Sequence, residues 1–415
     1  MLMRSSAYSD IMVLRDLAKC VSEISEKEIQ DERRDLWRKH NSLKQTTVPI
    51  NIHWHNCWQE IYPDKNLMCK DSFYREHECY LRQMLFQDSL DDDSIVEPWI
   101  TVKPRYAVPT ENFRWGPEIK YIKSSEERGS YLLDPPIKKP EDMKKLVTPH
   151  HKINETATAE DVSKLQDAIG DIIEINVDRG PYYRILLGDI SHDLGELLSI
   201  TQLMWDVIEN PEELHSLVRF LADGVMAVHD EAEVAGDWQL SNSYNQSLAY
   251  SEELPDPRAN SGGINRDKLW VFMAAQEFNN ISPSMFEEFL LRYQIPILEK
   301  FGLCSYGCCE DLTGKIVHLR KINNLRRIAV TPWADIRSCA EQIGNDYVLS
   351  WRPNPSEVIC SGFEPELIRR VVKNAMDIFY EHNSCVDITL KDIETVQGKP
   401  ENLREWVKIV RAAIN

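Results

Sequence analysis

The sequence predicts an α/β protein, a (β/α)8 TIM barrel with an N-terminal helical extension and an insertion after the first strand. Three observations lead there. From about residue 171 onward, short apolar runs alternate with amphipathic stretches of ten or more residues, the pattern of parallel strands joined by crossover helices. Helix starts are written out at Asn210-Pro211-Glu212-Glu213 and Ser282-Pro283, where a capping side chain precedes a proline suited to the first helical position. The number of strand–helix units suits a closed eight-fold wheel better than an open sheet, and 415 residues accommodate one such barrel with insertions.

Residues 1–45 form the extension: Ile11, Leu14, Leu17, Val21 and Ile24 share one helical face, and a charged stretch from Glu26 to Arg38 follows. This part is expected to clasp the outside of a barrel spanning 46–415. The first strand runs from Val48 and ends in His53, His55 and Cys57. On a continuing strand these alternate residues point to one side, as a substrate or metal constellation; otherwise the histidines hydrogen-bond within the mouth. Irregular chain from Asn56 to Tyr131, including Asp91-Asp92-Asp93, forms the insertion covering one end. The proline-restricted stretch from Asp134 to Leu146 is a connector.

A helix from Ala159 to Ile169 leads to a strand at Asp171 to Val177. The helix opened at Pro211 carries Leu214, Leu217, Val218, Leu221 and Val225 as a core-facing stripe, ends at Gly236, and hands over to a strand region at Asp237 to Leu240. Pro296 interrupts the stripe Met285, Phe286, Phe289, Leu290, Tyr293 and Ile297, predicting a kink. Strands then follow at Phe301 to Ser305, Arg327 to Thr331, Tyr347 to Trp351 and Val386 to Leu390, separated by helices, and Glu401 to Ala413 is the last helix.

Composition excludes several classes. A hydrophobic fraction of 42% with 28% charged residues describes a globular protein, and no apolar run nears the roughly 20 residues of a membrane span. The N-terminus lacks a basic start followed by an apolar stretch, which predicts a cytoplasmic address. Ten cysteines, two adjacent at Cys308 and Cys309, suit reduced thiols and metal ligands better than a disulfide framework. A net charge of −19 disfavours nucleic acid, whose binding relies on clustered Lys and Arg.

Across roughly residues 95–410 the motifs recur in an order that resembles the uroporphyrinogen decarboxylase superfamily. The stretches that carry the likeness are Pro136-Ile137-Lys138-Lys139-Pro140-Glu141-Asp142, Asn210-Pro211-Glu212-Glu213-Leu214-His215, Ala235-Gly236-Asp237, Ile281 to Phe289, Val330 to Asp335 and Arg352-Pro353-Asn354-Pro355. Decarboxylases of that family carry arginines at the first-strand turn for a polycarboxylate; here the turn reads His53-Trp54-His55-Asn56-Cys57-Trp58. The resemblance therefore runs to the corrinoid-dependent methyltransferases.

What that resemblance implies is a methyl group moved between a small methylated substrate (a methoxylated aromatic, a methylamine or a methylthiol) and a corrinoid carried on a separate partner protein. Zinc, held in that branch by an H-x-C turn, activates the substrate as a Lewis acid. The corresponding turn, Tyr306-Gly307-Cys308-Cys309-Glu310-Asp311, lacks the histidine. Its cysteine aligns with Cys308 or Cys309, so Cys308, Cys309 and Glu310 are the implied ligands. The family's further ligand falls near Asp392 to Glu394, and Cys385 lies too early to replace it.

Each candidate has a plainer alternative. Asp237 is a catalytic and substrate-orienting carboxylate or a turn residue, and Glu310 a ligand, a general acid or a surface charge. Trp333 and Asp335 line the mouth, or Trp333 fills the core. Two other functions stand beside methyl transfer: a lyase using Arg105, Arg114, Arg179, Arg184 and Arg352 on a tetrapyrrole or other carboxylate, and a non-catalytic binding barrel. A homodimer is compatible with each.

Overall fold

The computed structural model describes residues 2–107, 111–126 and 130–414. Ten strands are formed among them: β1 Ile50–Ile52, β2 Trp99–Val102, β3 Lys120–Lys123, β4 Tyr131–Asp134, β5 Glu174–Val177, β6 Trp270–Met273, β7 Leu303–Tyr306, β8 Leu325–Val330, β9 Val348–Trp351 and β10 Cys385–Leu390. A curled parallel sheet of six runs in the order β1-β10-β9-β8-β7-β6, and β2 and β5 pair parallel by themselves. The remaining two make an antiparallel hairpin.

Every residue of β6, β7 and β9 is buried, as expected of parallel strands covered on both faces. The sheet packs on helices through its shared core: β9 meets the helix Ile336–Ile343 and β6 the helix Arg292–Leu298, with Val372, Phe379 and Trp406 of the helices Pro365–Glu381 and Glu401–Ile414 in the same cluster. The long helix Pro211–Ala235 ends where the sequence predicts, at Gly236 with φ +74°. Asn210, however, turns its side chain back to Asp206 instead of capping that helix.

The closed wheel expected from the strand count is not formed by a continuous ladder. Among the described residues the parallel strands form a curled sheet of six and a separate pair, β2–β5, with no ladder joining the two. Side chains do the work of neighbouring strands there. At the free edge of β1, Ile50 N donates to Asp93 Oδ2 at 2.7 Å and Ile52 N to Asp92 Oδ2 at 2.9 Å. At the free edge of β5, Asn260 accepts from Val177 N at 3.0 Å and donates to Ile175 O at 2.9 Å. The strand expected over 237–240 is replaced by a 3-10 turn, Leu240–Asn242, next to this second edge.

The extension forms two helices, Leu2–Ser25 and Glu28–Asn41. The first packs Leu14, Ala18 and Val21 with Tyr74, Leu81, Ile100 and Leu165 as a second core over β2 and β5. The second reaches deeper than an outside clasp: Asn41 Oδ1 accepts from Arg327 Nη1 at 2.8 Å, and His40 Nε2 stands 3.1 Å from Asp387 Oδ2. Arg327, Ser350 and Asp387, from three adjacent strands, are joined to one another and buried. No helix among the described residues is long and apolar enough to cross a membrane.

Candidate active site at the strand ends

The C-terminal ends of parallel strands are where barrel proteins assemble their sites. Four of these ends meet here: His53 follows β1, Cys308 and Cys309 follow β7, Arg352 follows β9 and Lys391 follows β10. The turn after β7 is shaped by Gly307 at φ +100°. A Cβ there would lie 2.5 Å from Leu312 Cδ1 and 3.1 Å from Ala329 Cβ, so only glycine fits the approach.

Cys308 Sγ and Cys309 Sγ stand 3.5 Å apart. Lys391 Nζ donates to both, at 3.2 Å and 3.6 Å. The Arg352 guanidinium donates to the Cys308 carbonyl and to Gln246 Oε1, both buried contacts. The hydrogen bond from Cys309, with Lys391 and Arg352 nearby, holds the Cys308 thiol well below the ordinary cysteine value against the opposing effect of burial. The same hydrogen bond, together with burial, pushes Cys309 up. Of the two sulfurs Cys308 is thus the more acidic, and Lys391 Nζ lies beside it.

His53 extends the β1–β10 ladder by donating from its backbone N to Leu390 O at 2.8 Å. Burial, then the charges of Lys391, His55 and Arg352, bring its imidazole down to about 3, so it is neutral at ordinary pH and a hydrogen-bond acceptor. The other members of the first-strand constellation do not share its side. The strand stops at Ile52, and His55–Cys57 turn into a 3-10 helix. His55 stacks on Trp54 with ring centroids 4.5 Å apart. Cys57 donates to Trp54 O at 3.1 Å, its thiol pushed up to about 12 by burial.

Glu310 is buried and turned away from the sulfurs. Its Oε1 accepts from Ala275 N at 2.7 Å and its Oε2 from Cys308 N at 2.9 Å, tying the β7 turn to the β6 turn. A zinc ion does not fit this set. Both Glu310 oxygens are taken by backbone N–H groups, and an ammonium stands against both thiols. No group of three or more His, Cys, Asp or Glu side chains among the described residues is arranged to hold a metal, whereas tetrahedral zinc needs at least three protein ligands.

Asp237 is 6% exposed and occupied on both oxygens, by His151 Nε2 at 2.7 Å and Arg179 Nε at 2.6 Å. Asp335 caps the helix Ile336–Ile343 by accepting from Arg337 N and Ser338 N, and Trp333 is 72% exposed. The structure gives these three no contact with the thiols. Lys391, whose role the sequence did not reveal, is marked only as the first polar residue after the last apolar strand.

A cavity of about 780 Å³ opens between the helix Ser72–Ser89 and the ends of β2 and β5, lined by Phe73, His77, Tyr80, Lys103, Arg105 and Asp178 among others. A smaller hollow of about 210 Å³ shares Tyr80 and Gln83 with it and reaches Trp54 and His55. These two hollows run from the insertion to His55, and neither is lined by His53, Cys308, Cys309 or Lys391.

Fold and site define an α/β protein with a thiol pair and two cations at the strand ends. No family model matches the chain, and no curated protein matches it. Among solved structures it is similar to a methyltransferase from Methanosarcina mazei, with a TM-score of 0.51 and 11% identity over 91% of this chain and 98% of that one. At that identity the likeness is one of fold.

Proposed function

We propose that the protein is a methyltransferase moving a methyl group between a small methylated compound, such as a methoxylated aromatic, a methylamine or a methylthiol, and a corrinoid carried by a separate protein. The observation that carries this reading is the Cys308–Cys309 pair held against the Lys391 ammonium where β7 and β10 end. The fold shared with a solved methyltransferase supports it.

The partner's corrinoid would supply the nucleophile that takes up the methyl group. This chain's residues bind the donor and manage the proton. Breaking a carbon–oxygen or carbon–nitrogen bond is easier when the departing heteroatom receives a proton in the transition state. Lys391 is the acid of the mouth, aimed by the Cys308 and Cys309 sulfurs. Cys309 retains its proton next to it, and neutral His53 accepts a hydrogen bond from the substrate.

The lyase reading is less well supported, because its arginines already have internal partners. Arg105 pairs with Asp161, Arg179 with Glu155 and Asp237, Arg184 with Asp178, and Arg114 with Asp193 and Glu196. The test is to offer a panel of methylated donors with reduced free cobalamin as acceptor and to follow methylcobalamin by absorbance. Transfer is expected with at least one donor, unchanged by chelators, and slowed about a hundredfold in Lys391→Met. No transfer with any donor, or an unaltered rate in that variant, overturns the proposal.

A further inference from the structure

We infer that Cys308 and Cys309 form a reversible dithiol–disulfide pair, oxidised by hydrogen peroxide, which makes the mouth an oxidation-sensitive site. Among the described residues no other two cysteines are hydrogen-bonded to each other, whereas these two sulfurs stand 3.5 Å apart. Lys391 Nζ lies within reach of both, at 3.2 Å and 3.6 Å, and Asp392 Oδ2 is 3.6 Å from Cys309 Sγ. Cys308 is 8% exposed and Cys309 is half-buried, so a molecule the size of peroxide reaches the pair from solvent. A nucleophilic sulfur beside a cation, with a second thiol poised to resolve it, is the arrangement of redox-responsive cysteines.

The step balances without any group beyond the oxidant. The Cys308 sulfur attacks one peroxide oxygen, the O–O bond breaks, and the departing hydroxide takes a proton from Lys391 to leave as water. The neutral Lys391 amine then accepts the Cys309 proton. The Cys309 sulfur attacks the sulfenic Cys308, the S–S bond forms, and the S–O bond breaks. Hydroxide again leaves as water with a proton from Lys391, which recovers its charge from solvent. Two thiols and one peroxide become one disulfide and two waters.

Adjacent Cα atoms lie about 3.8 Å apart, short of the roughly 4.4–6.8 Å of ordinary disulfides. Such a bond is strained and readily reduced, which suits a reversible change. Oxidation would tie together the two sulfurs that position Lys391 and so silence methyl transfer; only this consequence rests on the function proposed above. The chemistry is tested without any methyl donor, so failure of either idea is seen separately.

The intact protein is treated with stoichiometric hydrogen peroxide, its remaining thiols are blocked with iodoacetamide, and the peptides are mapped by mass. The expected result is loss of two hydrogens from the peptide carrying Cys308 and Cys309, reversed by dithiothreitol, while exposed Cys20 is still labelled. In Cys309→Ser, Cys308 gains oxygen instead, and in Lys391→Met oxidation slows about tenfold. Earlier oxidation of Cys20, or a peptide that keeps both thiols while peroxide is consumed, overturns the inference.

Discussion

At the residue scale, Glu310 shows how one carboxylate can tie two turns together. It satisfies two buried N–H groups from different turns, and a buried donor left unpaired costs about 1–3 kcal/mol. Glu310→Ala should therefore lower stability by about 2–5 kcal/mol in urea unfolding, and Glu310→Gln, which keeps one acceptor, by roughly half as much. Gly307→Ala forces a Cβ into Leu312 at a positive φ; a loss of about 1–3 kcal/mol is expected, together with a displaced Cys308 and slower transfer. The turn itself was legible in the sequence, because glycine, two thiols and an acid lie side by side. Lys391 was not, since 83 positions separate it from Cys308 and only the pairing of β10 brings it near.

At the scale of elements, what the sequence shows well is local chemistry. Proline and serine at a helix start, or glycine at its end, act within a few residues of themselves: the helix at Pro283 begins with its serine cap as read, and the one at Pro211 begins at the expected residue without the Asn210 cap. The capped edges escaped because Asp92, Asp93 and Asn260 look like ordinary loop residues, yet each takes the place of a strand edge. The same locality explains His55 and Cys57: alternation says which side a strand shows, but not where the strand stops. Two variants check these edges by amide hydrogen exchange. Asp93→Ala should speed exchange at Ile50, and Asn260→Ala at Val177, each by about tenfold to a hundredfold, while β7 and β8 stay protected. Equal exchange across all strands would mean that the side chains are not what closes the edges.

For the whole molecule, the buried group of His40, Asp387, Arg327 and Ser350 sets a pH range. Burial works against the His40 cation, but hydrogen bonds to Asp387 and Cys385 outweigh it and carry the imidazole up to about 8. Burial likewise opposes the Asp387 anion, and Arg327 with His40 bring it down to about 2. A raised histidine contributes stability that is complete below about 6.5 and is lost as pH rises through about 8. A lowered carboxylate contributes above about 4 and loses that contribution as pH falls through about 2. The contribution of this group to the urea midpoint should therefore be constant from about pH 4 to 6.5 and decline from there to about pH 8. His40→Gln should flatten the alkaline decline; a decline of the same size in that variant would place its cause elsewhere.

The pairing of His40 with Asp387 also spans 347 positions of chain. At about 5–20 residues per second, a ribosome needs roughly 20–70 s to make the second partner after the first. Throughout that time His40, at the tip of the helix Glu28–Asn41, lacks its carboxylate partner. The buried polar group under the sheet is thus completed by a helix made long before its partner strand, so a nascent chain halted before β10 leaves His40 without its carboxylate.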